Sequence, residues 1–300
     1  LLLEPPGSRQ IPEEVLTELA RAVELEPNDW ELVWVLSDRL LDIGRSDEAL
    51  EYLDGLVETD PFDSLLRLDR ARARLATGDL RGAHQDANHV FELAAVDHDR
   101  AVAFSLIGQA LARQMDIEKA NAAFESALAI EPDLTSAHFG LANIAGQTGR
   151  YREAVTSYRR VIAANPGHLE ARLGEITALA LMGQEAEAIE RLERGRETLK
   201  DPPKLKYTLA LLLLTAHTPS LRDPRRAVEL AEQLVGEVAT PDHGELLAVA
   251  LAADGRYDEA AKTQQNLLDA LPAGASRELA ARWRARQREW QQKASDPLTQ

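Results

Sequence analysis

Apolar positions along this chain recur at three- and four-residue spacing in short runs, each closed by glycine or proline. Leu36, Leu40 and Ile43 make one such stripe, and Leu141, Ile144 and Ala145 make another. The period is that of an amphipathic α-helix. The runs come in pairs. About 14 residues between a proline and the following glycine predict a first helix, helix A of a unit. The stretch after the glycine, "DEALEYLDGLVE" or "REAVTSYRRVIA", repeats the period and predicts helix B. Glycine closes helix A because a helix ending in the left-handed conformation favours a residue without Cβ. Proline, which has no amide hydrogen to donate, stops helix B.

Aligned on this punctuation, Ala49, Ala83, Ala120, Ala154, Ala188, Ala227 and Ala260 fall in one column, spaced by 34, 37, 34, 34, 39 and 33 residues. Pro61, Pro132, Pro166 and Pro272 form a second column twelve residues on, and Pro27 closes an earlier partial unit. Gly44, Gly78, Gly149, Gly183 and Gly255 form a third, five residues before the alanine. The alanine column marks where two helices cross closely, and a bulkier side chain there would cost roughly 1–3 kcal/mol by overpacking. The units run 30–63, 64–97, 101–134, 135–168, 169–202, 203–240 and 241–272. Residues 11–29 supply one leading helix, 273–292 a charged helix that covers the last open face, and 293–300 a tail. Residues 1–10, "LLLEPPGSRQ", read as a linker, as the stump of a removed apolar segment or as an arbitrary cut.

A unit of 34 residues with small side chains at positions 8 and 20, an aromatic or leucine at 24 and proline at 32 resembles the tetratricopeptide repeat. Residues 101–134 carry the pattern most fully, with Phe104, Ile107, Gly108, Leu111, Ala120, Phe124, Ala127 and Pro132 at the matching places. Residues 135–168 follow with Leu141, Ala142, Tyr151, Ala154, Tyr158 and Pro166. The resemblance implies an all-α, right-handed solenoid of about seven such repeats.

Several departures change the local expectation. His98, Asp99 and Arg100 are inserted before the third unit and predict a longer turn. Arg70 and Glu175 stand at position 7, normally apolar, and are expected to reach out to solvent. The sixth unit has the long loop "AHTPSLRDP" at 216–224, and its "LALLLL" at 209–214 predicts a helix buried all round. On the closing helix Trp283 is expected to seal the last repeat, with Trp290 left as an exposed contact.

Composition narrows the function. Fifty acidic against 34 basic residues give a net charge of −16, which repels a phosphate backbone and argues against nucleic-acid binding. The excess is concentrated in residues 1–100, with 23 acids and 10 bases. Without cysteine there are no disulfides or thiolate sites, and no apolar run is long enough to span a bilayer. His84 and His89 lack partners at metal-ligand spacing, and no serine-nucleophile or glycine-rich phosphate motif occurs. No cofactor or catalytic residue is expected. Arginine outnumbers lysine 28 to 6, which suggests a bacterial, GC-rich source. The opening residues point to an exported or membrane-tethered protein, with a cytoplasmic home as the alternative.

Recognition remains. The resemblance implies that helix A positions 2, 5, 9, 12 and 13 line an inner wall that holds a peptide or a partner's helix. On this chain those places fall on Trp34, Asp38, Leu68, Arg72, Gln109, Arg113, Phe139, Asn143, Gln147 and Thr177, with Leu41, Leu75, Ser105, Leu173 and Leu181 beside them. Gln109 and Asn143 can bond an extended backbone through both amide ends. Arg72 and Arg113 can hold a carboxylate, and Phe139 offers a flat apolar contact. The lysine and asparagine clamp of the chaperone-binding members is absent, since Trp34 and Asp38 occupy its first places. The expected function is a non-enzymatic scaffold that binds a protein or peptide and helps assemble a larger complex. A regulatory or targeting part of a larger enzyme or membrane-anchored protein, and a self-assembling structural repeat, are the alternatives.

Overall fold

The computed structural model describes residues 12–93, 96–272, 274 and 276–296; the expected linker at 1–10 and the last residues of the expected tail lie outside them. Among the described residues every regular element is helical, with sixteen α-helices and one short 3-10 turn. The chain forms two compact units, Leu1–Ala178 and Leu179–Gln300.

In the first unit α1 (Glu13–Leu25) leads the pairs α2 (Trp30–Asp42) with α3 (Ser46–Thr59), α4 (Ser64–Thr77) with α5 (Leu80–Leu93), α6 (Asp97–Arg113) with α7 (Ile117–Ile130), and α8 (Thr135–Gln147) with α9 (Tyr151–Ala164). The unit boundary falls inside α10 (Leu169–Leu181). Each of these helices up to α9 packs on the next, and α2, α4, α6 and α8 also pack side by side, so the A helices form one wall. The column alanines Ala49, Ala83, Ala120 and Ala154 are buried at the crossings. Phe124, fully buried at position 24, wedges between Gly108 and Gly140, and Tyr158 lies over Gly174. Helix α4 ends on Gly78 in the left-handed region at φ 93°. After α6 the same place is taken by Met115 at φ 64°, a conformation that costs a residue with Cβ about 1–2 kcal/mol.

Three expectations are corrected here. The inserted His98, Asp99 and Arg100 do not lengthen a turn; they form the first turn of α6, which reaches 17 residues. Ser64 Oγ donates to Asp99 Oδ2 at 2.7 Å, which gives the inserted turn a partner on α4. Arg70 and Glu175 do not reach solvent. The Arg70 guanidinium turns inward to Asp86, which is only 2% exposed, at 2.6 and 2.9 Å, and to Asp54 at 3.1 Å. Arg74 and Arg67 close on the same Asp86 at 2.7 and 3.5 Å. Glu175, equally buried, accepts from Arg159 Nε at 2.7 Å. Both ion pairs join position 7 of one helix A to position 25 of the helix B before it, 16 residues earlier, with the signs reversed.

The second unit runs through α11 (Glu185–Thr198), α12 (Pro203–Thr215), α13 (Pro224–Glu237), α14 (Pro241–Ala253), α15 (Tyr257–Asp269) and α16 (Arg277–Ala294), each packed on the next. The "LALLLL" stretch is not buried all round: Leu209, Ala210 and Leu213 are inside, but Leu211 is 38% exposed, so α12 keeps one face in solvent. The loop that follows is organised by Glu185, whose carboxylate accepts from His217 N at 2.7 Å and Thr218 N at 3.1 Å. Those amide donors hold its pKa down, from an ordinary 4.5 to about 2. A carboxyl depressed on folding contributes stability that is complete above its unfolded value and lost as pH falls through the folded one. The thermal midpoint of the protein should therefore fall from pH 4.5 to 2, and Glu185→Gln should flatten that limb while lowering the midpoint at pH 7.

Trp290 is also corrected. It is buried, as is Trp283, because residues seven apart share one helix face. Beneath α16 one position is poorly matched. Gln264 is fully buried at position 24, where Leu53 and Leu192 stand in other units, and neither end of its amide has a partner. Unpaired buried polar groups cost about 1–3 kcal/mol each. Gln264→Leu should raise the unfolding free energy by about 1–2 kcal/mol in urea titration, and an unchanged midpoint would show that the amide is satisfied in solution.

Candidate partner-binding wall

The A helices of the first unit present a continuous row of side chains, and the structure sorts the expected residues by what already engages them. Near its start Trp34 Nε1 donates to Asp69 Oδ2 at 3.0 Å, and Arg72 Nη1 donates to the other oxygen of Asp69 at 3.1 Å. Burial pushes the Asp69 carboxyl up; Arg72 and Trp34 pull it back, while the nearby Asp38 charge adds to the rise. Asp38 itself lies 3.7 Å from Arg39. Arg72, expected to hold a partner's carboxylate, thus already holds one of this chain's own. Leu68 is not on the wall at all: it is buried in the core with Leu75 and Leu106. Leu41 and Ser105 are buried as well, and Ser105 Oγ donates to Ser136 Oγ at 2.8 Å.

Further along, Arg113 is exposed but anchored, donating from Nη1 to the carbonyl of Leu75 near the end of α4. Phe139 packs against two rings, His168 at 4.7 Å and Tyr158 at 6.1 Å between centroids. Tyr158 donates its hydroxyl to Asn143 Oδ1 at 2.7 Å, so the acceptor end of the Asn143 amide is taken from within. His168 Nδ1 accepts from Ala171 N at 3.3 Å and caps α10 as a neutral ring, its pKa lowered by burial. Tyr158, His168 and Asp69 are wall-supporting residues that position-by-position reading missed. Thr177 is exposed with its hydroxyl turned back to the Leu173 carbonyl at 2.8 Å. Gln109 is half-buried and Gln147 exposed, and neither side-chain amide is engaged by another described residue. Adjacent α6 and α8 therefore carry two uncommitted amides, while the Asn143 amide, one turn before Gln147 on α8, is fixed by Tyr158.

Two family models described as tetratricopeptide repeat match the chain, one over residues 145–212 and the other over 16–64, 35–88 and 220–275. Together they take in more than half of it. The chain belongs to the tetratricopeptide repeat family. No curated protein matches this tetratricopeptide repeat chain in sequence. Among solved structures it is similar to the Cut9–Hcn1 hetero-tetramer of the APC/C, with a TM-score of 0.60 and 14% identity over 79% of this chain and 46% of that one. It is also similar to a tetratricopeptide repeat protein from Parabacteroides merdae, TM-score 0.53 and 16% identity over 86% and 98% of the two chains. A third is the C-terminal part of a repeat-containing protein from Cytophaga hutchinsonii, TM-score 0.57 and 14% identity over 83% and 98%. The chain spans about half the length of the first of these. At such identities the likeness is one of fold. Tetratricopeptide repeats generally mediate protein–protein interaction and complex assembly, and the repeat fold is typically non-catalytic.

Proposed function

We propose that this chain is a non-enzymatic adaptor whose first unit binds a segment of a partner protein along the wall formed by α2, α4, α6 and α8. The observation that carries the reading is the pair of uncommitted amides, Gln109 and Gln147, on neighbouring parallel helices. Amide side chains offer both donor and acceptor, so they can bond an extended backbone without selecting its sequence. Phe139, packed on the buried rings of Tyr158 and His168, keeps this part of the wall ordered before binding, which reduces the entropy lost. Arg113, held at one nitrogen, keeps further N–H donors for a carbonyl or carboxylate. Asn143, Phe139 and Arg72 act in this reading as supports, since each already has a partner within the chain.

The test is site-specific photo-crosslinking in source-cell extract. A crosslinker at Gln147 should capture one protein, and the same group at Glu125, on the exposed side of α7, should not. Capture lost on adding Gln109→Ala would tie it to the wall. Equal capture at both sites would place binding elsewhere and defeat the reading.

A further inference from the structure

A second surface lies where α2, α4 and α6 begin. Trp34 bonds Asp69 and Ser64 bonds Asp99, each across 35 residues, so the starts of these three helices lie side by side. Four large apolar side chains stand there in solvent: Trp30 at 60%, Phe62 at 77%, Leu65 at 52% and Val96 at 57% exposed. Single exposed apolar residues are ordinary, but a row across neighbouring helices is not.

The turn that presents Phe62 does not need it. Asp60 Oδ1 accepts from Phe62 N at 3.1 Å, and Arg67 Nε donates to the Pro61 carbonyl at 2.9 Å. The turn before α10 is built the same way: Asn165 Oδ1 accepts from Gly167 N at 2.9 Å, and Arg172 donates to the Pro166 carbonyl at 2.8 and 3.1 Å. Glycine fills the place of Phe62 in that turn, and Asp133 fills it in another. The aromatic ring is thus held outward by a pinned turn that gains nothing from it. Around the row, residues 26–31, 58–65 and 96–100 carry eight acids against one base, Arg100; six of the acids are exposed, Asp63 is half-buried and Asp99 is buried.

We propose that this edge is a docking surface for a cationic amphipathic helix of a partner protein. Its apolar face covers Trp30, Phe62, Leu65 and Val96, and its lysines or arginines meet the acidic rim. Charge complementarity selects this occupant: an anionic lipid surface or a nucleic acid would be repelled. Leu65, at position 2 of α4, borders the wall of α2, α4, α6 and α8, while Trp30, Phe62 and Val96 stand at or before the helix starts, and the test separates the two surfaces.

The probe is a labelled synthetic helix of leucine, alanine and lysine with one apolar face, titrated with the full chain by fluorescence anisotropy. A charge-reversed copy with glutamate for lysine and a scrambled copy without an apolar face serve as comparisons. The cationic amphipathic helix should bind, more weakly as salt rises. Phe62→Gly with Trp30→Ala should weaken it about tenfold or more, as loss of aromatic anchors does. Phe62→Asp, which adds a negative charge, should weaken it too, while Gln109→Ala with Gln147→Ala should leave it unchanged. All variants should keep the wild-type thermal midpoint. Equal binding by Phe62→Asp and wild type would mean attraction by charge alone and would overturn the proposal. So would equal binding of either comparison peptide, or self-association of the chain that disappears with Phe62→Gly, which would make the occupant a second copy.

Discussion

Replacing Asp86 with alanine should lower the unfolding free energy by about 3–5 kcal/mol, the cost of breaking a buried ion pair from one side. Asp86 is buried and accepts from Arg70 and Arg74 at 2.6 to 2.9 Å, with Arg67 at 3.5 Å. Removing its charge leaves three guanidinium groups, each no more than 20% exposed, against two acids, Asp54 shared by Arg70 and Arg74 and Asp79 at 3.8 Å from Arg74. Their mutual repulsion in a partly desolvated site is what destabilises the variant. Glu92→Ala on the same helix, where the carboxylate is 76% exposed beside His89, should change stability by less than about 0.5 kcal/mol. Urea titration of both variants separates the two effects. A loss near 0.5 kcal/mol for Asp86→Ala would mean that the arginines reach water and that the cluster is a surface feature.

The second large effect is steric. Gly140→Ala would place a Cβ 2.2 to 2.6 Å from three ring atoms of Phe124, a ring packed so closely on Gly108 as well that a Cβ there would lie 2.8 to 2.9 Å from it. Overpacking of this kind costs about 3 kcal/mol. Phe124→Leu in the Gly140→Ala background should recover part of the loss, since the smaller side chain vacates the ring's space. Gly55→Ala is the matching comparison: it also lies within a helix, nothing stands within 4 Å of the added atom, and it should stabilise by about 0.5–1 kcal/mol. Thermal unfolding of the four proteins decides whether the fit of ring to glycine, rather than helix propensity, controls the interface.

These two sites show what could be read in the chain and what could not. Helix pairs were legible because period, glycine stops and proline stops are local signals, and Phe124 at position 24 belongs to the repeat pattern. Gly140 was not recognised as its partner, because the contact crosses from one unit to the next. Arg70 and Glu175 looked like misplaced charges when position 7 was read alone. Their partners Asp54 and Arg159 stand 16 residues earlier in both cases, so a charge at position 7 matched by its opposite at position 25 of the preceding unit is a signal that sequence could supply. Burial of Trp290 follows from helix geometry, since two turns of helix return a side chain to the face of Trp283. On the wall, repeat position located the A-helix surface but not the side chains already engaged. Arg72 is paired with Asp69, Arg113 with the Leu75 carbonyl and Asn143 with Tyr158, and each contact depends on how neighbouring helices pack.

The central claim is that Gln109 and Gln147 form a binding wall. Its most direct measurement is the affinity of the segment captured at Gln147, by calorimetry with the full chain, for wild type, Gln109→Ala with Gln147→Ala, and Phe62→Gly. Loss of about two side-chain hydrogen bonds, roughly 1–3 kcal/mol, should weaken the amide variant about 5- to 150-fold, while Phe62→Gly binds as wild type does. Unchanged affinity in the amide variant, with its thermal midpoint intact, would contradict the account and take the wall out of recognition.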